Sequence, residues 1–162
     1  MISGHFGKEK KMNYKMILQY DGTRYNGWQK QGNTDNTIQG KLETLLSRIA
    51  GEPVEIHGAG RTDAGVHAAG QVANAKFHTD LSDEELLQTI NHYLPEDIEV
   101  TSLARMPERF HSRLNAVDKT YEYRIVIDGR KHVFRAEIRV FSGSTARCGK
   151  NERSIESVYR NV

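Results

Sequence analysis

Hydrophobic and polar residues alternate along "YKMILQYDG", residues 14–22. Met16, Leu18 and Tyr20 fall on one face of an extended chain, because strand side chains point alternately to two faces. The Asp-Gly pair that ends the run is typical of a turn. The pattern predicts a half-buried strand that ends in a turn.

In two later segments, apolar residues recur at helical spacing. In "NTIQGKLETLLSRIAGEP" (36–53), Asn36 and Gln39 resemble a capping box, and Gly51 marks the end. Its periodic apolar residues are Ile38, Leu42, Leu45, Leu46 and Ile49. In "LSDEELLQTINHYLP" (81–95), Ser82 and Glu85 form a capping box, and a proline closes the segment. Both segments are predicted helices.

Short alternating runs predict the remaining strands. They are "VEIHG" (54–58), "GQVANAKFHT" (70–79) and "DIEVTSLA" (97–104), followed by "KTYEYRIVI" (119–127) and "VFRAEIRVF" (133–141). Up to residue 104 the order is β-α-β-β-α-β, which is the order of a ferredoxin-like sandwich. The expected fold class is therefore α/β (α+β), with a mostly antiparallel sheet and the helices on one face.

The two ends of the chain lack these patterns. Residues 1–12 are predicted to be a disordered extension, residues 13–141 one α/β domain, and residues 142–162 an irregular tail. Within the tail, a short helix is predicted near Ile155 to Tyr159.

Composition is that of a soluble globular domain. The 162 residues are 37% hydrophobic and 27% charged, with a formal net charge of +2. No apolar run approaches the length of a membrane span, and no apolar segment of a secretory signal follows the basic N-terminus. The single cysteine, Cys148, cannot form an internal disulfide. We therefore expect a cytoplasmic protein without a membrane partner.

The segment "GAGRTDAGVHAAGQV" (58–72) places charged residues among glycines and alanines. Arg61 and Asp63 fall on the same face of an extended segment and can pair, which would favour the ionised carboxylate. The glycines permit positive φ and close approach of a ligand. The alternative is an ordinary surface turn with an exposed ion pair.

His67 follows Asp63 by four residues, a spacing that would also suit a metal site or a hydrolytic dyad. A metal site needs three or four ligands, and no matching second cluster is evident. A hydrogen-bonded structural histidine is the favoured interpretation.

The segment "YDGTRYNGWQKQ" (20–31) interleaves Arg24, Tyr25, Trp28 and Lys30. Aromatic rings among cations suit stacking on bases and contact with phosphates. Two alternatives remain, a turn with aromatics packed in the core and the phosphate-binding turn of a sugar-kinase-like ATPase.

The segment "FHSRLNAVDKTYEYRI" (110–125) carries a histidine and several basic residues before a predicted strand. Tyr121 and Tyr123 share one face of that strand, so one can be core and the other can stack on a planar substrate. The basic or polar residues are His111, Arg113, Lys119 and Arg124.

In order and spacing, these stretches resemble the tRNA pseudouridine synthase A family over about residues 13–135. The Gly-Arg-Thr-Asp-Ala-Gly-Val-His run at 60–67 is the most specific part. The resemblance implies isomerisation of uridine to pseudouridine on the 3′ side of the tRNA anticodon arm. It implies tRNA as the partner, no cofactor and no metal, and a homodimer.

The resemblance also assigns residues. It implies that Asp63 is the catalytic aspartate, that Arg61 is its ion-pair partner and fills the space left by the flipped nucleotide, and that Tyr121 stacks on the uracil. The expected RNA contacts are Arg24, Tyr25, Trp28, Lys30, His67 and Lys119.

Chains of this family are considerably longer, and their C-terminal half completes the cleft and carries much of the dimer interface. Because that half has no counterpart here, we expect little activity from this chain alone. The competing hypothesis is a ferredoxin-like module that binds RNA without catalysis.

Overall fold

The computed structural model describes residues 10–126 and 155–161. In chain order the elements are β1 (Met12–Tyr20), α1 (Ile38–Ala50), β2 (Ile56–Gly58), β3 (Ala68–Phe77), α2 (Asp83–Tyr93), β4 (Ile98–Met106), β5 (Thr120–Val126) and β6 (Ile155–Asn161). The first six follow the predicted order. β1 begins within the predicted N-terminal extension, residues 1–9 of which lie outside the described residues.

Strands β1 to β4 form one antiparallel sheet in the order β2-β3-β1-β4. The crossover through α1 joins β1 to β2 and leaves a gap that β3 fills. The crossover through α2 joins β3 to β4, and β1 lies between them. These split connections define the ferredoxin-like arrangement and confirm the predicted fold class.

One face of the sheet carries the hydrophobic core. Tyr14, Met16, Leu18 and Tyr20 alternate along β1 and are all buried, as the sequence pattern predicts for the last three. Buried side chains of α1 and α2 belong to the same cluster, so both helices pack on this face. The predicted placement of the helices is therefore confirmed.

The helix ends follow local chemistry. Ser82 and Glu85 form the predicted capping box of α2. For α1, the N-cap is Thr37, whose hydroxyl accepts a hydrogen bond from the Gly40 amide, so the predicted cap at Asn36 is one residue too early. Gly51 ends α1 in the left-handed conformation, with φ of 67°.

The opposite face of the sheet is partly covered by the connection from β4 to β5. The amide group of Asn13 donates to the carbonyl oxygens of Pro107 (3.0 Å) and Phe110 (2.8 Å). Asn74 donates to the Asn13 side chain and accepts from the backbone amide of Ser112. These buried hydrogen bonds fix residues 107–112 against the sheet.

β5 pairs antiparallel with β6, from Thr120 opposite Asn161 to Val126 opposite Ile155. The short helix predicted near Ile155 to Tyr159 is therefore wrong. Strand β5 offers a line of backbone donors and acceptors, and pairing with it satisfies the tail's backbone as an extended strand. The predicted strand at 133–141 and the rest of the tail before Ile155 lie outside the described residues.

Candidate active site

The two glycine-containing segments, residues 20–31 and 58–72, pack directly against each other. Backbone hydrogen bonds join the Trp28 amide to the Thr62 carbonyl (2.9 Å) and the Gly65 amide to the Tyr25 carbonyl (3.2 Å). A Cβ on Gly27 would lie 2.7 Å from the Thr62 oxygen, and Gly27 has φ of +89°. The turn after β1 is therefore the support on which the Arg61–Asp63 loop rests.

The middle residue of this loop is held inward. The Thr62 hydroxyl lies 2.8 Å from the Tyr20 hydroxyl at the end of β1. Arg61 and Asp63, on either side of Thr62, are exposed. Their side chains form no ion pair with each other among the contacts of the described residues, so the predicted Arg61–Asp63 pair is not formed here.

Tyr20 keeps its proton over the physiological pH range. Burial raises the pKa of Tyr20 to about 12, the hydrogen bond with Thr62 lowers it, and the nearby Tyr121 raises it by less. The neutral phenol is therefore a permanent hydrogen-bond partner for Thr62.

The glycines of the loop meet different requirements. Of the four in residues 58–72, Gly65 has a positive φ, of 79°. A Cβ on Gly58 would come within 2.7 Å of the Trp28 indole, so Gly58 is needed for close packing. The predicted need for positive φ thus applies to one glycine.

A cavity of about 470 Å³ opens beside the loop. Arg61, Lys119 and Tyr121 all line it, although Lys119 and Tyr121 lie far from Arg61 in sequence. A Cβ on Gly60 would be 3.8 Å from the Tyr121 hydroxyl, so that hydroxyl lies beside Gly60. Asp63 is exposed and is not among the residues that line the cavity.

The aromatic residues of the first segment are in the core. Tyr25 is 6% exposed and Trp28 is 2% exposed, and the Trp28 ring centre lies 6.2 Å from that of Tyr20. Their burial favours the core-packing alternative over the predicted role as stacking surfaces for RNA. Burial of aromatic rings of this size is strongly favourable, so they pack into the core instead of facing solvent.

The cations of the first segment are paired with carboxylates. Arg24 contacts Asp97 through two nitrogens, at 2.7 and 3.0 Å, and Lys30 lies 3.2 Å from Glu43. An RNA phosphate would have to compete with these ion pairs.

Asp97 is a junction that the sequence does not reveal. The Tyr25 hydroxyl donates to it at 2.5 Å, in addition to Arg24. Burial raises the pKa of the Asp97 carboxyl, but the hydrogen bonds from Tyr25 and Arg24 outweigh it, and the pKa is lowered. This carboxylate ties the first segment to the start of β4.

His67 is buried, at 8% exposure. Its Nδ1 lies 3.3 Å from the Gly22 amide, which donates to it, and 3.1 Å from an Asp21 carboxylate oxygen. This placement favours the structural role over an RNA contact. No group of three or more metal-ligating side chains occurs among the residues that the structure describes.

A second cavity, of about 410 Å³, lies at the end of β1, where Tyr20 and Asp21 line it. Its acidic lining residues are Asp21, Glu96, Asp97 and Glu99. Carboxylates repel phosphates, so electrostatics distinguish this cavity from the basic one beside Arg61.

Comparison with known proteins agrees with the sequence resemblance. A family model described as tRNA pseudouridine synthase matches residues 16–115. This chain belongs to the tRNA pseudouridine synthase family.

Individual relatives carry the name tRNA pseudouridine synthase A. The chain is 56% identical over 122 residues to the tRNA pseudouridine synthase A of Bacillus sp. (strain KSM-64), covering 75% of this chain and 50% of that protein. It is 50% identical over 113 residues to a tRNA pseudouridine synthase A 2 of Bacillus cereus, covering 70% and 46%. A Clostridium tetani tRNA pseudouridine synthase A 1 is also 50% identical, over 124 residues covering 75% and 50%.

The chain spans about half the length of these relatives. The matched residues are consistent with the N-terminal half of a protein of this family. In the described ranges, neither helix is long and apolar enough to cross a membrane.

Proposed function

We propose that this chain carries the catalytic loop of a tRNA pseudouridine synthase, which converts uridine to pseudouridine in the anticodon stem-loop of tRNA. The observation that carries the proposal is the exposed carboxylate of Asp63, two residues from an arginine that shares a basic cavity with Tyr121. The family match supports the enzyme over the alternative of a non-catalytic RNA-binding module.

In the proposed reaction the bond between C1′ and N1 of uridine breaks, the uracil turns, and C5 bonds to C1′. The proton on C5 is lost and N1 gains one, so the product is an isomer and needs no co-reactant. Cleavage of a glycosidic bond builds positive charge on the sugar, which a nearby carboxylate stabilises. Asp63 serves this role, either by attack on C1′ or by removal of a sugar proton.

The target nucleotide must leave its helical stack, at a cost of a few kcal/mol. The cavity of about 470 Å³ has a size typical of sites for small molecules, about 300–1,000 Å³. We propose that the flipped uracil stacks on Tyr121 and that Arg61 occupies the space that the nucleotide leaves.

The protein is proposed to act in the cytoplasm as a homodimer, with tRNA as its partner. This follows from the family resemblance, and the homodimer is checked by the mass of the protein in solution.

The test is conversion of uridine in unmodified tRNA, measured by mass-shift labelling of pseudouridine. Two proteins are compared, the 162-residue chain and a chimera in which residues 12–126 replace the matched half of the Bacillus sp. relative. We expect conversion by the chimera and little by the chain alone, because an active site between two halves needs both walls. A folded chimera that binds tRNA but forms no pseudouridine contradicts the proposal.

A further inference from the structure

One buried polar side chain of strand β3 reaches the Arg61–Asp63 loop. Gln71 is 2% exposed, and it shares the core face of the strand with Ala73 and Ala75. Periodicity favours an apolar residue at such a position, and a buried amide costs free energy unless it is hydrogen-bonded. The Gln71 side chain donates to the carbonyl oxygen of Gly60 at 2.6 Å. The core therefore holds the loop at this glycine.

This hydrogen bond fixes the peptide group that joins Gly60 to Arg61. The carbonyl of Gly60 and the backbone amide of Arg61 belong to one rigid plane. Since the described residues contain no cis peptide bond, the two groups point in opposite directions. The Gly60 oxygen is directed at Gln71, so the Arg61 amide points away from it. A buried side chain of β3 thus sets the backbone orientation of Arg61.

Gly60 also belongs to the cavity of about 470 Å³, which Arg61 lines as well. A Cβ on Gly60 would meet the Tyr121 hydroxyl at 3.8 Å and the Lys119 side chain at 3.9 Å, which is ordinary van der Waals contact. The hydrogen bond from Gln71 therefore acts at the wall of this cavity.

The Arg61 side chain is exposed, and it forms no ion pair with another residue in the described part of the chain. The residue that follows it is held by the core, because the Thr62 hydroxyl lies 2.8 Å from the Tyr20 hydroxyl. Arg61 is thus an exposed cation between two anchored residues, Gly60 and Thr62. Its direction depends on how these two neighbours are held.

We propose that Gln71 is a positioning residue, which holds the Gly60–Arg61 peptide so that Arg61 is presented to the cavity before RNA binds. A group that is already oriented loses less conformational freedom on binding. Gln71 acts only through Arg61, because its own side chain is buried. The role of Arg61 toward RNA rests on the proposed function, whereas the fixed peptide rests on the hydrogen bond itself.

The first experiment tests the fixed peptide without RNA. Gln71→Met keeps the length of the side chain and loses the donor. In the 162-residue chain, the ¹⁵N NMR signal of the Arg61 amide should shift, because this nitrogen belongs to the peptide group whose carbonyl loses its hydrogen bond. Gln88→Met, at an exposed position of α2, is the matched control and should leave the Arg61 signal in place. An Arg61 signal that is the same in both variants would overturn the proposal.

A second variant gives an answer even if Gln71→Met does not fold. In Gln71→Glu, a protonated carboxyl group can donate to the Gly60 oxygen, whereas a carboxylate repels it. Burial favours the protonated form, so this form persists to a higher pH than in water. The Arg61 amide signal should therefore approach its wild-type position in acid and depart from it in alkaline solution. A difference from wild type that does not change with pH would contradict the role of the donor.

The second experiment is a double-mutant cycle on the affinity of the chimera for an unmodified anticodon stem-loop RNA. Arg61→Gln and Gln71→Met should each weaken binding about tenfold. Because Gln71 acts through Arg61, the double variant should bind within about twofold of Arg61→Gln alone. A merely structural role of Gln71 would make the two losses multiply to about a hundredfold, and this outcome would overturn the positioning role. Gln88→Met should bind as tightly as wild type.

The two proposals fail separately. If the Arg61 amide responds to Gln71→Met and the cycle is non-additive, but the chimera forms no pseudouridine, the proposed function is contradicted and the positioning of Arg61 stands. If the chimera is active and the Arg61 amide does not respond, Gln71 is not a positioning residue and the proposed function stands.

Discussion

The hydroxyl of Tyr20, the last residue of β1, lies 2.8 Å from the hydroxyl of Thr62 in the loop that precedes β3. Thr62 separates Arg61 from Asp63. Thr62 is half-buried, whereas its two charged neighbours are exposed. The core strand β1 thus sets the orientation of the proposed catalytic carboxylate.

Removal of this hydrogen bond should impair catalysis more than binding. Thr62→Val keeps the shape but loses the hydroxyl, and we expect the chimera to lose about tenfold in kcat and about 1 kcal/mol in stability. Thr62→Ser keeps the hydroxyl and should stay within about twofold of wild type. Equal rates for the two variants would show that the contact with Tyr20 does not position Asp63.

Asp63→Asn should abolish formation of pseudouridine and leave affinity for tRNA largely intact. The amide has the shape of the carboxylate but cannot act as nucleophile, base or countercharge. The measurement is mass-shift labelling of the product in the chimera, with filter retention for binding. Continued turnover of the Asn variant would remove Asp63 from the catalytic role.

Tyr121→Phe should reduce activity less than Tyr121→Ala if the ring acts by stacking on the uracil. Stacking of a base on an aromatic ring contributes about 1–3 kcal/mol. If Tyr121→Phe lowers the rate of conversion but keeps normal affinity for tRNA, the hydroxyl beside Gly60 has a role in the reaction. Equally mild effects of both changes would mean that Tyr121 is only a packed strand residue.

Gly22→Ala should destabilise the whole domain. A Cβ at this position would overlap the backbone carbonyl of Val66, so the turn after β1 would have to separate from the Arg61–Asp63 loop. We expect a loss of at least about 2 kcal/mol in urea unfolding. Gly32→Ala is the control, because a Cβ there meets no atom within 4 Å. A stability of Gly22→Ala equal to that of Gly32→Ala would contradict the close packing of the two segments.

Asp97→Asn should lower stability at neutral pH by about 1–3 kcal/mol, through weaker hydrogen bonds to Tyr25 and Arg24. The folded pKa of Asp97 is lowered, so its contribution is present above the unfolded pKa of about 3.9. That contribution is lost as the pH falls through the folded pKa. Urea unfolding at pH 7 and near pH 3 should therefore show a gap between wild type and variant that narrows in acid. Glu96→Gln, an exposed neighbour, should show no such gap.

The local sequence pattern was sufficient to predict the strands β1 to β4 and the two helices. The alternation through Met16, Leu18 and Tyr20, and the capping box of Ser82 and Glu85, depend on residues within a few positions of each other. Such short-range geometry is the same in any fold, so periodicity alone can predict it. The Gly-Arg-Thr-Asp motif likewise identified the family, because a contiguous motif needs no tertiary information.

The sequence could not predict which side of a turn faces the core. Trp28 and Lys30 lie two residues apart in a stretch that looks like an exposed RNA-binding surface, yet the indole is buried and the ammonium group is paired. The choice depends on Gly58, because a Cβ at this position would come within 2.7 Å of the indole.

By itself, then, the sequence determined the order of the elements, the fold class and the family, since each follows from contiguous residues. Only the tertiary structure decided that Arg61 and Asp63 do not pair, that the tail from Ile155 forms a strand, and that His57 stacks on His111. These features join residues that are distant in the chain or depend on how a loop is supported. Their energies arise from packing and hydrogen bonds between segments, which local propensity does not encode.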